Sequence, residues 1–235
     1  MAAYLRAAVL LLLPMIGAGR QATAQSTQGL SAGMDLTSDH RLRGLSWSDS
    51  KPTLRAWVGV PVGPRTYVDA ELVATHGSIR ADGAGAALSV GLRQRLGDGP
   101  VRVDAGGGCR LFPGQAGSAF CEVGTDVAYD LAWVRVDAGL SYAPRQRAIG
   151  GDNLYLRAGI GIDVPRSPFS LHGGVGHSTG TVTDALRAAR LRPEGAYWDY
   201  RVGADFTRDR LNTGLRYVTT SNGQGTVVAH VGISF

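Results

Sequence analysis

The sequence predicts an all-β fold: an antiparallel, transmembrane, up-and-down β-barrel of about 12 strands. Three observations predict it. The last ten residues, Thr226 to Phe235, set Val227, Ala229, Val231, Ile233 and Phe235 on one strand face, against Thr226, His230, Gly232 and Ser234 on the other. The N-terminus is laid out as an export signal. Between the two ends, period-two segments of about 10 residues recur, joined by connections that alternate short and long.

The leader comes first. Arg6 supplies a positive n-region, Ala7 to Ile16 is an apolar run interrupted by Pro14, and Ala22-Thr-Ala24 fits a small-x-small cleavage pattern. Residues 1–24 are therefore read as a signal peptide, and 25–235 as the barrel domain. Beyond Gln25 no stretch approaches the roughly 18 apolar residues of a spanning helix. The 34 glycines, eight tyrosines and four tryptophans favour β structure.

The strands follow in order. Leu30, Ala32, Met34 and Leu36 alternate with Ser31, Gly33, Asp35 and Thr37; then Leu54, Ala56, Val58 and Val60 face outward beside Arg55. Val68, Ala70, Leu72 and Ala74 oppose Asp69 and Glu71. Leu88, Val90 and Leu92 oppose Ser89, Arg93 and Arg95. Val101, Val103 and Ala105 oppose Arg102 and Asp104. Cys121, Val123, Thr125 and Val127 oppose Glu122 and Asp126; Val134, Val136, Ala138 and Leu140 oppose Arg135 and Asp137. Leu154 to Ile162 alternates with Tyr155, Arg157 and Asp163. Phe169, Leu171 and Val175 oppose Ser170 and His172; Trp198, Tyr200, Val202, Ala204 and Phe206 oppose Asp199, Arg201 and Asp205. Leu211, Leu215 and Tyr217 oppose Asn212 and Arg216, and Thr226–Phe235 closes the set. Eight- or ten-stranded alternatives arise if Ser89–Leu96 or Phe169–Gly176 stays outside the wall.

Short, turn-rich connections fall near Pro61–Arg65, Gly97–Pro100, Asp130, Pro165–Pro168 and Thr207–Arg210. Longer ones fall near His40–Lys51, Gly77–Gly83, Arg110–Ala119, Pro144–Asp152, Ser178–Ala196 and Ser221–Gly225. That rhythm is what an outer-membrane barrel with both termini on the short-turn side requires. A chain ending in an alternating strand with a final aromatic looks like the assembly signal of such barrels, so Phe235 is expected to be read by a barrel assembly machinery.

The alternation assigns the charged residues Arg55, Asp69, Glu71, Arg93, Arg95, Arg102, Asp104, Glu122, Asp126, Arg135, Asp137, Arg157, Asp199, Arg201 and Arg216 to the lumen as pore-lining groups. On the lipid face each would cost up to roughly 2–4 kcal/mol. Arg102 with Asp104, Arg135 with Asp137, and Asp199 with Arg201 sit two apart on one face and suit a paired ladder.

Cys109 and Cys121 flank the third long connection with no histidine at ligand spacing, and in an exported chain read as a disulfide. Closing a loop of about 13 residues contributes on the order of 3 kcal/mol in the chain-entropy model. Thr181–Leu191 can form a short amphipathic turn with Arg187 and Arg190 exposed, either as a solvated loop or folded over the mouth. No metal site or cofactor is expected. The charge of +5 rests on dispersed arginines, with Lys51 the lone lysine. No basic helix or aromatic platform accompanies them, which argues against nucleic acid. The outer connections carry Arg41, Arg43, Lys51, Arg80, Arg110, Arg145, Arg147, Arg187, Arg190 and Arg192. Such an excess suits either lipopolysaccharide phosphates or the gathering of anionic solutes at a mouth.

The stretch Thr37–Pro52, through Thr37-Ser38-Asp39, Arg43-Gly44, Ser46, Ser48 and Lys51-Pro52, resembles the N-terminal signature of the TorF-type porin family. The resemblance covers about 16 residues and implies an outer-membrane barrel more firmly than transport. On the residues themselves, Asp39, Arg41 and Arg43 can pair with one another or with wall charges and pin the first loop.

Three function classes follow. Opposed charges can make a narrow channel for small polar or charged solutes. The same pairs can knit the lumen shut and leave a structural or binding barrel. A barrel lipid hydrolase would draw on His172, His177 and Ser178, but no nucleophile motif surrounds them, and His76 and His230 offer no better partners. The channel is the preferred reading, and the chain is not read as an enzyme.

Overall fold

The computed structural model describes residues 29–97, 99–223 and 225–235; the expected signal peptide, residues 1–24, lies outside them. Its wall is β1 (Ser31–Thr37), β4 (Thr53–Pro61), β5 (Thr66–Ala74), β6 (Ala86–Leu96), β7 (Val101–Leu111), β8 (Phe120–Leu131), β9 (Val134–Gln146), β10 (Gly151–Asp163), β11 (Phe169–Thr179), β12 (Tyr197–Arg208), β13 (Leu211–Thr220) and β14 (Thr226–Ser234). A separate hairpin, β2 (Arg41–Leu42) with β3 (Leu45–Ser46), sits in the first long connection. The wall is a closed antiparallel barrel of 12 strands, each paired with its neighbour in sequence. Closure brings β14 against β1: Leu36 faces Val231, Thr37 faces His230, and the Phe235 N–H donates to Ala32 O at 2.8 Å.

The alternation of the sequence becomes two surfaces. Leu54, Leu72, Val202, Leu215, Val227 and Ile233 are exposed on the outer face. So large an apolar surface is unfavourable in water and favourable in hydrocarbon. Aromatic side chains ring it at two levels. Tyr142, Trp198, Tyr200 and Tyr217 lie toward the long-loop end; Tyr129, Trp133, Phe169 and Phe235 lie toward the short-turn end. Such girdles belong at the two membrane interfaces. Ser89–Leu96 and Phe169–Gly176 both lie in the wall, within β6 and β11.

Two boundaries differ from expectation. The tight turn after β8 is Ala132-Trp133, and Asp130 lies in the strand opposite Arg135. A two-residue turn with Ala132 at φ +48° lets the ladder run further than the polar Asp130 implied. Likewise β9 reaches Gln146 and β10 starts at Gly151, so the fourth loop shrinks to a single 3-10 turn, Arg147–Ile149.

Glycine thins the inner wall where charges must lie flat. A Cβ on Gly139 would collide with Asp126 Oδ1 and stand 2.8 Å from Arg157 Nε. One on Gly174 would meet Arg201 Nη2 at 2.8 Å. Much of the glycine excess is therefore space for arginine and aspartate side chains to cross neighbouring strands.

The long-loop end is filled. Trp47, Leu42, Ala81, Ala84, Phe112, Phe120, Ala148, Ile149 and Leu191 from the loops and strand ends form one buried apolar cluster. Trp47 stacks on Phe112, ring centroids 5.9 Å apart, and Phe112 on Phe120 at 6.2 Å. Arg190 is 7 % exposed, contrary to its expected place on the surface. Its Nη1 donates to Ser118 O and Ala148 O, its Nε to Arg80 O, and its guanidinium lies 4.7 Å from the Phe112 ring centroid. One planar cation thus satisfies carbonyls from three loops whose ends would otherwise be orphaned. The helical turn α1 (Ala185–Ala188) buries Ala188 against the loops and leaves Ala185 and Leu186 exposed. The Cys109–Cys121 disulfide joins directly opposed positions on β7 and β8, on the outer face.

Candidate functional site

The first long connection crosses the lumen. Its anchor is Asp39, whose carboxylate accepts from Arg41 Nε at 2.6 Å and Ser46 Oγ at 2.6 Å, with Ser48 Oγ at 2.9 Å. Ser48 Oγ accepts from His40 N, and Ser50 N donates to Ser46 Oγ. Thr37 Oγ1 reaches Asp39 O, and Ser38 Oγ accepts from Ala229 N, tying the knot to β14. Lys51 pairs with Asp49 in solvent, and Pro52 O is 2.9 Å from His76 Nε2. Short polar side chains here replace the backbone partners that a buried loop lacks.

The knot directs the β2–β3 hairpin inward. Its two tip residues, Arg43 and Gly44, both have positive φ, +53° and +76°, the backbone of a two-residue primed turn. Gly44 also has no room for a side chain, since a Cβ would stand 2.6 Å from Thr220 Cγ2 and 2.8 Å from Asp199 Cβ. Arg43 Nη2 donates to Glu122 Oε1 at 2.6 Å, with the two side chains 4 % and 9 % exposed. Glu122 belongs to β8, five strands around the ring of 12 from β1, so the pair bolts the loop to the far wall. The Arg43 guanidinium sits 4.6 Å from the Tyr155 ring centroid, and Tyr197 Oη donates to Arg43 O. Burial opposes the Arg43 charge, but the Glu122 carboxylate outweighs it and holds the group above its ordinary value. His40 behind the tip is half-buried; burial lowers its imidazole to about 4, with Arg110 and Arg55 adding and Glu71 opposing.

The wall charges pair chiefly across strands. Arg93 meets Asp69 at 2.9 Å, and Arg95 meets Asp104 at 3.0 Å. Arg55 lies 3.0 Å from Asp35 and 3.5 Å from Glu71, which also stands 3.8 Å from Arg110. Arg102 and Arg135 share Asp130; Arg157 holds Asp137 at 2.8 Å and also Asp126. Of the expected two-apart pairs, only Arg201 with Asp199 forms, at 3.6 Å. Arg102–Asp104 and Arg135–Asp137 do not pair, because the register offers each arginine a nearer acid on the next strand.

Beneath the hairpin a cavity of about 520 Å³ runs from Arg43 and Gly44 to the turn-end residues Ala132 and Asp163. Of the residues assigned to the lumen, Arg55, Asp126, Arg135, Asp137, Arg157, Asp199, Arg201 and Arg216 line it. Asp69, Glu71, Arg93, Arg95, Arg102, Asp104 and Glu122 face inward but border other parts of the interior. Tyr155 and His230, which alternation placed inside without a role, line it too, as does the hydrolase candidate His172. His172 Nδ1 lies 3.3 Å from Asp205, and Arg216 Nε donates to His172 Nε2 at 3.1 Å.

The histidine–serine candidates separate. His177 faces outward against Trp198, rings 4.5 Å apart, while Ser178 points inward to Asn153 Oδ1 at 2.9 Å. Successive residues of one strand cannot meet as a dyad. The basic residues expected on the outer surface also divide. Arg41, Arg43, Arg110, Arg190 and Arg192 are turned into the loops and lumen, and Arg80 bonds Ala189 O; Arg145 and Arg147 stay exposed. Arginine served there as internal cement for loop carbonyls, a use that a count of charges does not reveal.

Solved structures of the same fold are outer-membrane channels. The KdgM porin aligns with a TM-score of 0.56 at 8% identity, over 87% of this chain and 98% of that one. The NanC porin gives 0.57 at 9%, over 88% and 99%. An outer-membrane channel from Pseudomonas putida F1 gives 0.50 at 13%, over 87% and 94%. At these identities the likeness is one of fold. No curated protein matches the sequence. A family model described as a bacterial protein of unknown function (Gcw_chp) matches residues 21–233. By that match, which spans most of its length, the chain belongs to the bacterial Gcw_chp family.

Proposed function

We infer that this protein is a narrow, porin-like channel of the Gram-negative outer membrane, passing small polar or charged solutes. In this reading the leader directs export, Phe235 is the residue recognised by the barrel assembly machinery, and the exposed Arg145 and Arg147 face lipopolysaccharide. The observation that carries it is the charged cavity of about 520 Å³ inside a closed 12-stranded wall. That volume suits a monosaccharide or dipeptide-sized solute. The fold of KdgM and NanC supports the same reading, and the KdgM porin is solved in complex with disordered oligogalacturonate. Arg55, Asp126, Arg135, Asp137, Arg157, Asp199, Arg201 and Arg216 are the lining groups. The first-loop hairpin is the constriction, and Thr37, Ser38, Asp39, Ser46, Ser48, Lys51 and Pro52 are its mounting.

A specific observation favours the rival, a closed barrel: the Trp47 cluster fills the long-loop end. Planar-bilayer recording of the refolded protein separates the two. A channel gives discrete conductance steps that scale with salt; a wild-type protein and a hairpin-deleted protein both silent over that range would establish the closed barrel.

A further inference from the structure

Every inward arginine of the barrel strands has an acid within ion-pair reach except one. Among the described residues Arg216 makes no ion pair; its one hydrogen bond goes from Nε to His172 Nε2. Because a guanidinium only donates, that ring nitrogen must accept, and His172 is the neutral Nδ1–H tautomer turned toward Asp205. Among the described residues both terminal amino groups of Arg216 are left without a hydrogen-bond partner.

A second cation stands beside it. Arg201 is opposite Val218, so Arg216, two residues away on β13, is its diagonal neighbour on the same face. Among the described residues Arg201 has only the 3.6 Å ion-pair contact to Asp199. Like charges so placed repel, and repulsion at this spacing is removed by an anion between them. Both arginines line the cavity beside the apolar Val218 and Val228, while His172 lies over Gly203 and Asp205 and His230 lie over Gly214. Weak hydration and a planar fork suit Arg216 to a bidentate carboxylate.

We propose that Arg216, with Arg201, forms a carboxylate-binding subsite in the cavity, and that the solutes of this barrel are small organic acids the size of a monosaccharide. The proposal rests on the cavity being a solute site. Its test is equilibrium binding, by calorimetry on the refolded full-length barrel in detergent, of D-glucuronate and of D-glucose, which differ at the carboxylate. Glucuronate binds at least tenfold tighter than glucose, and Arg216→Gln removes that advantage. Arg216→Lys, which keeps the charge and loses the fork, falls between them and serves where the glutamine variant does not refold. Equal affinity for the two sugars, or an advantage that survives Arg216→Gln, overturns the subsite. Binding with no conductance in bilayers overturns the channel and leaves the subsite standing; conductance without a glucuronate preference does the reverse.

Discussion

Glu122→Gln isolates the bolt between the first-loop hairpin and the far wall. The Arg43–Glu122 pair is nearly dry, at 4 % and 9 % side-chain exposure, with N–O at 2.6 Å. Removing one member of such a pair costs about 3–5 kcal/mol, since the remaining charge stays buried. Glutamine still offers an oxygen to Arg43, so about 3 kcal/mol is the applicable end. The Tyr197–Arg43 hydrogen bond, worth about 1 kcal/mol, and the close fit of Gly44 against the wall remain. Against them works the positive φ of Arg43, +53°, which costs about 1–2 kcal/mol in a residue with a Cβ. A loss of about 3 kcal/mol changes the ratio of seated to unseated hairpin by about two orders of magnitude. Single-channel recording reads this as a higher open probability or a larger conductance level. The exchanged double variant Arg43→Glu with Glu122→Arg returns the trace toward wild type. Identical conductance histograms and dwell times for wild type and Glu122→Gln would refute the reasoning, because the hairpin would then not stand in the path.

Gly44→Ala adds a methyl at φ +76° with Thr220 Cγ2 only 2.6 Å away, so it unseats the same hairpin without touching a charge; its trace is expected to match that of Glu122→Gln. Trp47→Ala leaves a void in the loop cluster and costs about 3–5 kcal/mol, seen as faster proteolysis of the long loops while the barrel keeps its heat-modifiable gel migration. His40 has a folded pKa of about 4, below its unfolded value near 6.5, so the seated loop is fully stable above about pH 6.5 and loses stability as pH falls toward 4. The half-buried ring limits this to about 1–2 kcal/mol, and His40→Gln flattens the pH profile of loop proteolysis. Cys109→Ser with Cys121→Ser removes about 3 kcal/mol of chain-entropy stabilisation and lowers the unfolding temperature, while conductance holds because the bridge lies on the outer face.

The wall was legible because membrane and lumen impose opposite demands at successive residues. Leu54 beside Arg55, and Leu215 beside Arg216, already state which side is lipid. Closure followed from Thr226–Phe235, which pairs with β1 as its pattern required. Pairing within the lumen was less legible, because it depends on register rather than on spacing along one strand. Asp130 serves both Arg102 and Arg135 from neighbouring strands, and Arg157 reaches Asp126 and Asp137 on either side of Gly139. A cross-strand acid is nearer than one two residues along the same strand, where side chains stand about 7 Å apart. The loop cluster had no periodicity to betray it. Its one sequence signal is Trp47, a large apolar residue set in Ser46-Trp-Ser48 where a solvated loop gains nothing from it.

The two halves of the interior are built on different principles. Toward the long-loop end, apolar side chains and arginine-capped carbonyls fill the space. Toward the short-turn end, glycines hold the wall back and charged pairs lie flat against it, leaving volume rather than filling it. The β5–β7 side is outside the cavity, whose lining runs from β8 round to β14, β1 and Arg55 of β4 and includes Arg157, Arg201 and Arg216. The hairpin tip stands where the two halves meet, touching β8 through Glu122, β10 through Tyr155 and β12 through Tyr197. In the proposed channel, passage requires the tip to move, and the bonds to Glu122, Tyr155 and Tyr197 that hold it are polar or cation–π. The Trp47 cluster reaches into the hairpin only as far as Leu42, and the tip itself is an arginine at positive φ.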